Sequence, residues 1–250
     1  MPNDDEKPRW KKGNKARNLL SRFPIIDLAH AVVLNGSKRR AFLSRFVDTI
    51  TTQSYTPTRS AAPMIYASQK PMFEMPQPTW DEVERYIRKS ARPEILDMNL
   101  EASRALFDFV RSQEYLATDC DPQALRVRLK NIVPINLSFY VTQGDRLIFQ
   151  FPLIRKTSLT DDAIRVLGSI IHHAYVQGDY SFGEIEVADI SCMPKSDHRA
   201  PRIRSIPSSE ILDREALTDQ IGEVYEILET LAARPPPQAP KGPGGDGFGF

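Results

Sequence analysis

The sequence predicts an α+β fold: a mainly helical amino-terminal half followed by a ββαββα carboxy-terminal half on a small, mostly antiparallel sheet. Two periodicities carry that expectation. Leu159, Ala163, Ile164, Leu167, Ile170, Ile171, Ala174 and Tyr175 recur at spacings of three, four or one, the pattern of a core-facing helix from Ser158 to about Val176. Ile135, Leu137 and Phe139 instead alternate with Asn136, Ser138 and Tyr140, and Leu147, Phe149 and Phe151 repeat the alternation beyond Gly144-Asp145. A two-residue repeat on both sides of a turn signal reads as a hairpin. With 41% hydrophobic and 26% charged residues in 250, the chain has the composition of a globular protein, which excludes wholesale disorder.

The elements follow in order. Residues 1–22 form a flexible basic arm, polar and crowded with Lys7, Arg9, Lys11, Lys12, Lys15, Arg17 and Arg22. One folded α+β domain is expected over 23–232, helical over 23–130 and ββαββα over 131–232. Ile25, Ile26, Leu28, Ala29, Val32, Val33 and Leu34 make a short buried helix or strand ended by Asn35-Gly36-Ser37, and Lys38 to about Thr51 makes a second helix. Between Thr52 and Thr79, Pro57, Pro63, Pro71, Pro76 and Pro78 argue against any regular helix. The apolar Met64, Ile65, Tyr66, Met72, Phe73 and Met75 in the same stretch point to a loop laid across the surface, with a lid over a cleft as the competing reading.

Thr79-Trp80-Asp81-Glu82 fits a capping box for a helix to about Ser90. Pro93 interrupts it, Asn99 caps the next helix, and Pro122 to Lys130 reads as one more. In the second half, Ile185, Val187 and Ile190 mark a third strand, and Ile203 and Ile206 among Arg202, Arg204 and Ser205 mark an edge-like fourth. Asp213 caps the closing helix, whose stripe is Leu217, Ile221, Val224, Leu228 and Leu231. Residues 233–250 are a Pro/Gly-rich tail, expected to be disordered, with Phe248 and Phe250 as a conceivable docking motif on a tether.

A formal net charge of +1 gives no bulk electrostatic reason for nucleic-acid or membrane binding. Two cysteines, Cys120 and Cys192, cannot make a disulfide framework, and no export signal or membrane-length apolar run is visible. The expectation is a soluble cytoplasmic protein that does not engage membranes.

The best acidic group is Glu184, Glu186 and Asp189, since Glu184 and Glu186 share one face of a strand and, with Asp145 or Asp179, offer hard oxygen ligands for a divalent metal such as Mg²⁺. Strands around a central helix with acids at strand ends resemble the general parts of metal-dependent nucleases of the restriction-endonuclease type. That resemblance implies an aspartate on one strand and a Glu-x-Lys or Asp-x-Lys triplet on the next. Lys156 here has no acid two places before it, and Glu184-Ile185-Glu186 has no lysine. The plain alternative is that these carboxylates are the solvated face of an edge strand.

His172 and His173, adjacent on a helix, diverge by about 100° and cannot chelate one ion together. Cys192 and His198 lack a second ligand pair, so no zinc site is expected. No nucleophile elbow, Walker sequence or dinucleotide fingerprint occurs.

The leading expectation is an intracellular, non-enzymatic interaction or accessory protein with no metal and no cofactor. It binds a protein partner or, through Lys11, Lys12, Lys15, Arg17, Arg202 and Arg204, nucleic acid. The alternative is a divergent metal-dependent phosphodiesterase or nuclease using Asp145, Glu184, Glu186 and Lys156 with Mg²⁺.

Overall fold

Alternating side chains along the strands give the sheet two apolar faces, and the helices divide between them. The computed structural model describes residues 23–48, 55–67, 76–128, 131–193, 195–196 and 198–233. The predicted basic arm, the predicted tail and part of the proline-rich stretch lie outside them. In chain order the helices and strands are α1 (Ile25–Val33), α2 (Gly36–Asp48), α3 (Thr56–Ile65), α4 (Trp80–Ser90), α5 (Pro93–Arg111), β1 (Leu116–Asp119), β2 (Gln123–Arg128), β3 (Asn131–Ile135), β4 (Phe139–Gln143), β5 (Arg146–Leu153), α6 (Asp161–Tyr175), β6 (Glu184–Asp189), β7 (Arg202–Ile206) and α7 (Arg214–Ala232). The fold is α+β.

Five strands form one sheet in the order β1-β4-β5-β6-β7, and β2 and β3 pair as a separate antiparallel hairpin. Within the larger sheet only β5 and β6 run parallel, with Ile148 opposite Glu184 and Leu153 opposite Asp189. Such a pair needs a long crossover, and α6 supplies it. On one face Phe149, Phe151, Leu153, Ile185 and Val187 join the apolar sides of α1, α6, α7 and the β2–β3 hairpin. On the other, Ala117, Phe139, Val141, Ile148, Ala188 and Ile190 meet α3, α4 and α5. Gly168 lets α6 lie close to β7: a Cβ there would stand 2.7 Å from Ile206 Cγ1.

Several elements form for the reasons read from the sequence. Thr79 and Glu82 make a reciprocal capping box for α4. The Asp213 carboxylate accepts from the amides of Glu215 and Ala216 at the start of α7. The β4–β5 hairpin turns at Gly144-Asp145, with Gly144 at φ +59°. The closing helix and the edge strand β7 also match expectation.

Other elements differ. The helix expected over 122–130 is β2, where Leu125 and Val127 are buried while Ala124 and Arg126 are exposed, a two-residue alternation. The helical half therefore ends at Arg111. α3 crosses the stretch judged too proline-rich for a helix: Pro57 sits in the first turn, where its missing N–H goes unused. Pro63 removes one internal hydrogen bond, but Ala61, Ala62 and Ile65 are fully buried beside it. α5 starts at Pro93 and Asn99 is not its cap but an interior, buried residue. Its Oδ1 accepts from Thr58 Oγ1 at 2.8 Å, which ties α5 to α3. The strand expected from Ile135 through Tyr140 is broken at 136–138, between β3 and β4.

His30 on α1 packs edge-on against Phe42 of α2 at 5.0 Å. Burial, and then the charge of Arg155, lower its pKa from the ordinary value, while Asp27 opposes them. His172 is lowered by burial and then by His173. A base whose folded pKa is depressed binds its proton more readily when unfolded. The associated stability is present above the unfolded pKa and is lost as pH falls through and below it. Thermal unfolding should therefore show Tm falling from about pH 7 to pH 5. His30→Gln should flatten part of that slope, and an unchanged slope would exclude His30 as its source.

Candidate functional site

β6 is an interior strand between β5 and β7, so its carboxylates are not the solvated face of an edge. Glu186 is 4% exposed and Asp189 2%. A buried carboxylate must be hydrogen-bonded and paired, and the sheet meets that need on each of its faces.

On the α3–α5 side, Gln150 of β5 is fully buried and uses its whole amide. Its Nε2 donates to Glu186 Oε2 (3.0 Å) and to Tyr115 Oη (2.9 Å), and its Oε1 accepts from Tyr66 Oη (2.6 Å). Arg146 closes the group, donating to Glu186 Oε1 at 3.0 Å and to Glu184 Oε2 at 2.7 Å. Burial pushes the Tyr66 phenol well above its ordinary pKa, with the neighbouring Tyr115 and Glu186 adding to the shift. The hydrogen bond from Arg146 holds Glu184 below the usual carboxylate range. This group joins the end of α3, the segment before β1 and the strands β5 and β6.

On the α6 side, Asp189 ends β6 and gathers four donors. Oδ1 accepts from the Ser191 amide (3.0 Å) and Oγ (2.6 Å), and Oδ2 from Ser158 Oγ (2.6 Å) and Arg202 Nη2 (2.7 Å). Beside it Arg199, 6% exposed, donates to the carbonyls of Ile190 (2.6 Å) and Arg155 (2.9 Å) and to Tyr55 Oη (2.7 Å). Its Nε lies 3.2 Å from Glu101 Oε1, close enough for an ion pair but without a hydrogen bond, so the attraction there is electrostatic rather than directional. Arg199 thus pins the carboxyl ends of β5 and β6 to α5 and to the start of α3.

Ser158 and Arg202, the partners of Asp189, border a cleft of about 490 Å³ beyond the carboxyl ends of the parallel strands, lined also by Lys156, Thr157, Lys195 and Ser196. Open sheets bind ligands at this end, where the connections from adjacent parallel strands diverge. Lysines, an arginine and hydroxyls together suit an anion. Lys195 holds a left-handed backbone at φ +62°.

The residues singled out from sequence are dispersed. Asp145 is exposed in the β4–β5 turn, and Glu184 starts β6 near it, already paired with Arg146. Lys156 lies past the other end of β5, where its carbonyl accepts from the Cys192 amide. Cys192, beside Lys156, lies eight positions beyond Glu184, a reach of up to roughly 26 Å at about 3.3 Å per extended residue. Among the described residues no three His, Cys, Asp or Glu side chains group to hold a metal ion.

Arg202 is bonded to Asp189, and Arg204 to Asp161 of α6. Their charges are already answered within the fold. Lys11, Lys12, Lys15 and Arg17 lie outside the described residues. Cys192 is buried and bridges to Arg199, while His198 is exposed. Burial, with Asp119 and Asp121 nearby, pushes the Cys120 thiol up to about 11, so it stays protonated at neutral pH.

Sequence reasoning missed Gln150, Tyr66, Tyr115 and Arg199. The one available signal was Gln150 standing between apolar neighbours on a strand expected to be covered on both faces. It also missed Phe182, 67% exposed, which follows Tyr180 (36%) in the connection from α6 to β6. Among the described residues no helix is long and apolar enough to cross a membrane.

A family model described as sliding clamp-binding bacterial toxin SocB matches residues 26–234, from the first turn of α1 past the end of α7. No curated protein matches, and no solved structure does. Because the match takes in every helix and strand described above, this chain belongs to the SocB family.

Proposed function

We propose that this chain binds the sliding clamp, the ring that holds the replication machinery on DNA, and acts as a bacterial toxin by occupying a surface that other partners of the ring need. The family match over 26–234 is the observation that carries this reading. On this reading the protein partner expected from sequence is the clamp, and the encounter takes place in the cytoplasm, where replication occurs. It requires no chemistry of the chain itself, in keeping with a fold whose buried carboxylates are consumed by Arg146, Arg202 and serine hydroxyls.

The contact we assign by sequence is the stretch Gln69-Lys70-Pro71-Met72-Phe73, which lies outside the described residues. Two large apolar side chains next to each other, with Pro71 before them and Pro76 after, suit a short extended segment that inserts anchors into a partner's groove. Its flanks are fastened to the body, at Ile65 and Tyr66 in the buried core on one side and at the capped start of α4 on the other. Tethering at both ends lowers the ordering entropy of such a segment on binding.

The test is direct. Purified clamp from the same bacterium, immobilised for interferometry, should bind the full chain saturably. Induction of the chain in that host should arrest growth, and surplus clamp should relieve the arrest. Absence of saturable binding at about 100 μM, weaker than most specific contacts, would reject the proposal.

A further inference from the structure

A hollow beside α3 differs in chemistry from the polar groups above. It lies between α1, α3 and the connection from β3 to β4, with a volume of about 520 Å³. That is the size of a small-molecule site. Its walls are largely apolar, with Ile26, Ala62, Pro63, Leu137, Phe139 and Phe151 among them, and Arg59 of α3 lines it.

Among the described residues the Arg59 guanidinium makes no hydrogen bond or ion pair, its backbone amide alone being bonded, to the Tyr55 carbonyl. Asp27, the carboxylate whose field it feels, is engaged by Arg155 at 2.9 Å. Two guanidiniums therefore share one carboxylate, and one positive charge is left over in a largely desolvated place. Burial lowers the Arg59 pKa from its ordinary value, and Asp27 offsets only part of that effect. A guanidinium in such surroundings is costly unless it is paired.

We propose that this hollow binds a small amphiphilic monocarboxylate, its carboxylate forked onto Arg59 and its apolar body against Ile26, Leu137 and Phe151. The charges match one to one, and a planar carboxylate fits the guanidinium fork. A phosphate monoester brings nearly two negative charges and needs more donors than one arginine supplies. Phe23 and Pro24 also line the hollow.

The experiment titrates the full chain with decanoate below its micellar concentration by calorimetry, with decanol as the uncharged analogue. Saturable decanoate binding is expected, with decanol weaker by about tenfold or more, as is usual for a hydrogen bond to a charged group. Arg59→Met should weaken decanoate by a similar factor while leaving decanol unchanged. Asn136→Trp, at an exposed position on the rim, should block both ligands and serves as the decisive variant if Arg59→Met fails to fold. No saturable binding, or equal decanoate affinity in wild type and the folded variants, would overturn the site.

Discussion

Replacing Met72 and Phe73 together with alanine is expected to abolish clamp binding and relieve growth arrest. Apolar anchors that fill a partner's pocket typically contribute about 2–4 kcal/mol each, so the pair should weaken Kd by more than a hundredfold. Gln69→Ala, removing a polar contact at the edge of the same segment, should cost about tenfold. A matched change on the body, Phe182→Ser, tests the competing surface, since an exposed aromatic beside Tyr180 is the other feature with the makings of an interface anchor. Undiminished binding by the double variant, with loss in Phe182→Ser, would move the contact to the connection between α6 and β6. Family membership would stand in either case.

The largest stability effect is expected at Arg199. Truncation to alanine strands the carbonyls of Ile190 and Arg155 and the Tyr55 hydroxyl, and removes a guanidinium that also lies 5.1 Å from the Tyr55 ring. Breaking a buried charged network of this kind costs about 3–5 kcal/mol. For a body of this size that is a fall of about 10 °C in Tm. Arg199→Lys should recover only a part, because one ammonium cannot reach two carbonyls and a phenol arranged around a planar fork. Urea unfolding measures both variants, and a loss under about 1 kcal/mol for Arg199→Ala would show that water replaces the guanidinium.

What the sequence discloses depends on whether a residue's partners are its neighbours in the chain. The cap at Thr79 bonds three residues ahead, the cap at Asp213 two and three, and the Gly144 turn joins adjacent strands. All were readable. Arg199 finds Tyr55 144 residues away, and Gln150 finds Tyr66 84 away. No local pattern encodes such pairings. Asn99 was misread because a cap and an interior bond to Thr58 call for the same side chain, and only burial tells them apart. α3 was missed because two prolines were weighed as breakers without regard to position, and β2 because four residues of alternation are a weak signal beside a proline that also starts helices. The acids of β6 were recognised as notable but placed at the wrong kind of strand. Their role became legible only with Arg146 and Arg202 opposite them.

The first core is assembled from both ends of the chain: α1 and α2 pack on α6 and α7, and Arg39 reaches Glu223 at 2.8 Å. A chain emerging from the ribosome cannot close that core until the last helix is out. During synthesis the β3–β5 strands and α1 wait with their apolar sides uncovered, and the molecule is at that stage a substrate for chaperones and proteases. A product cut short before Leu217 would lack the apolar face that α7 lays over α1 and α2. A body built this way closes in one late step, when α7 docks on α1 and α2.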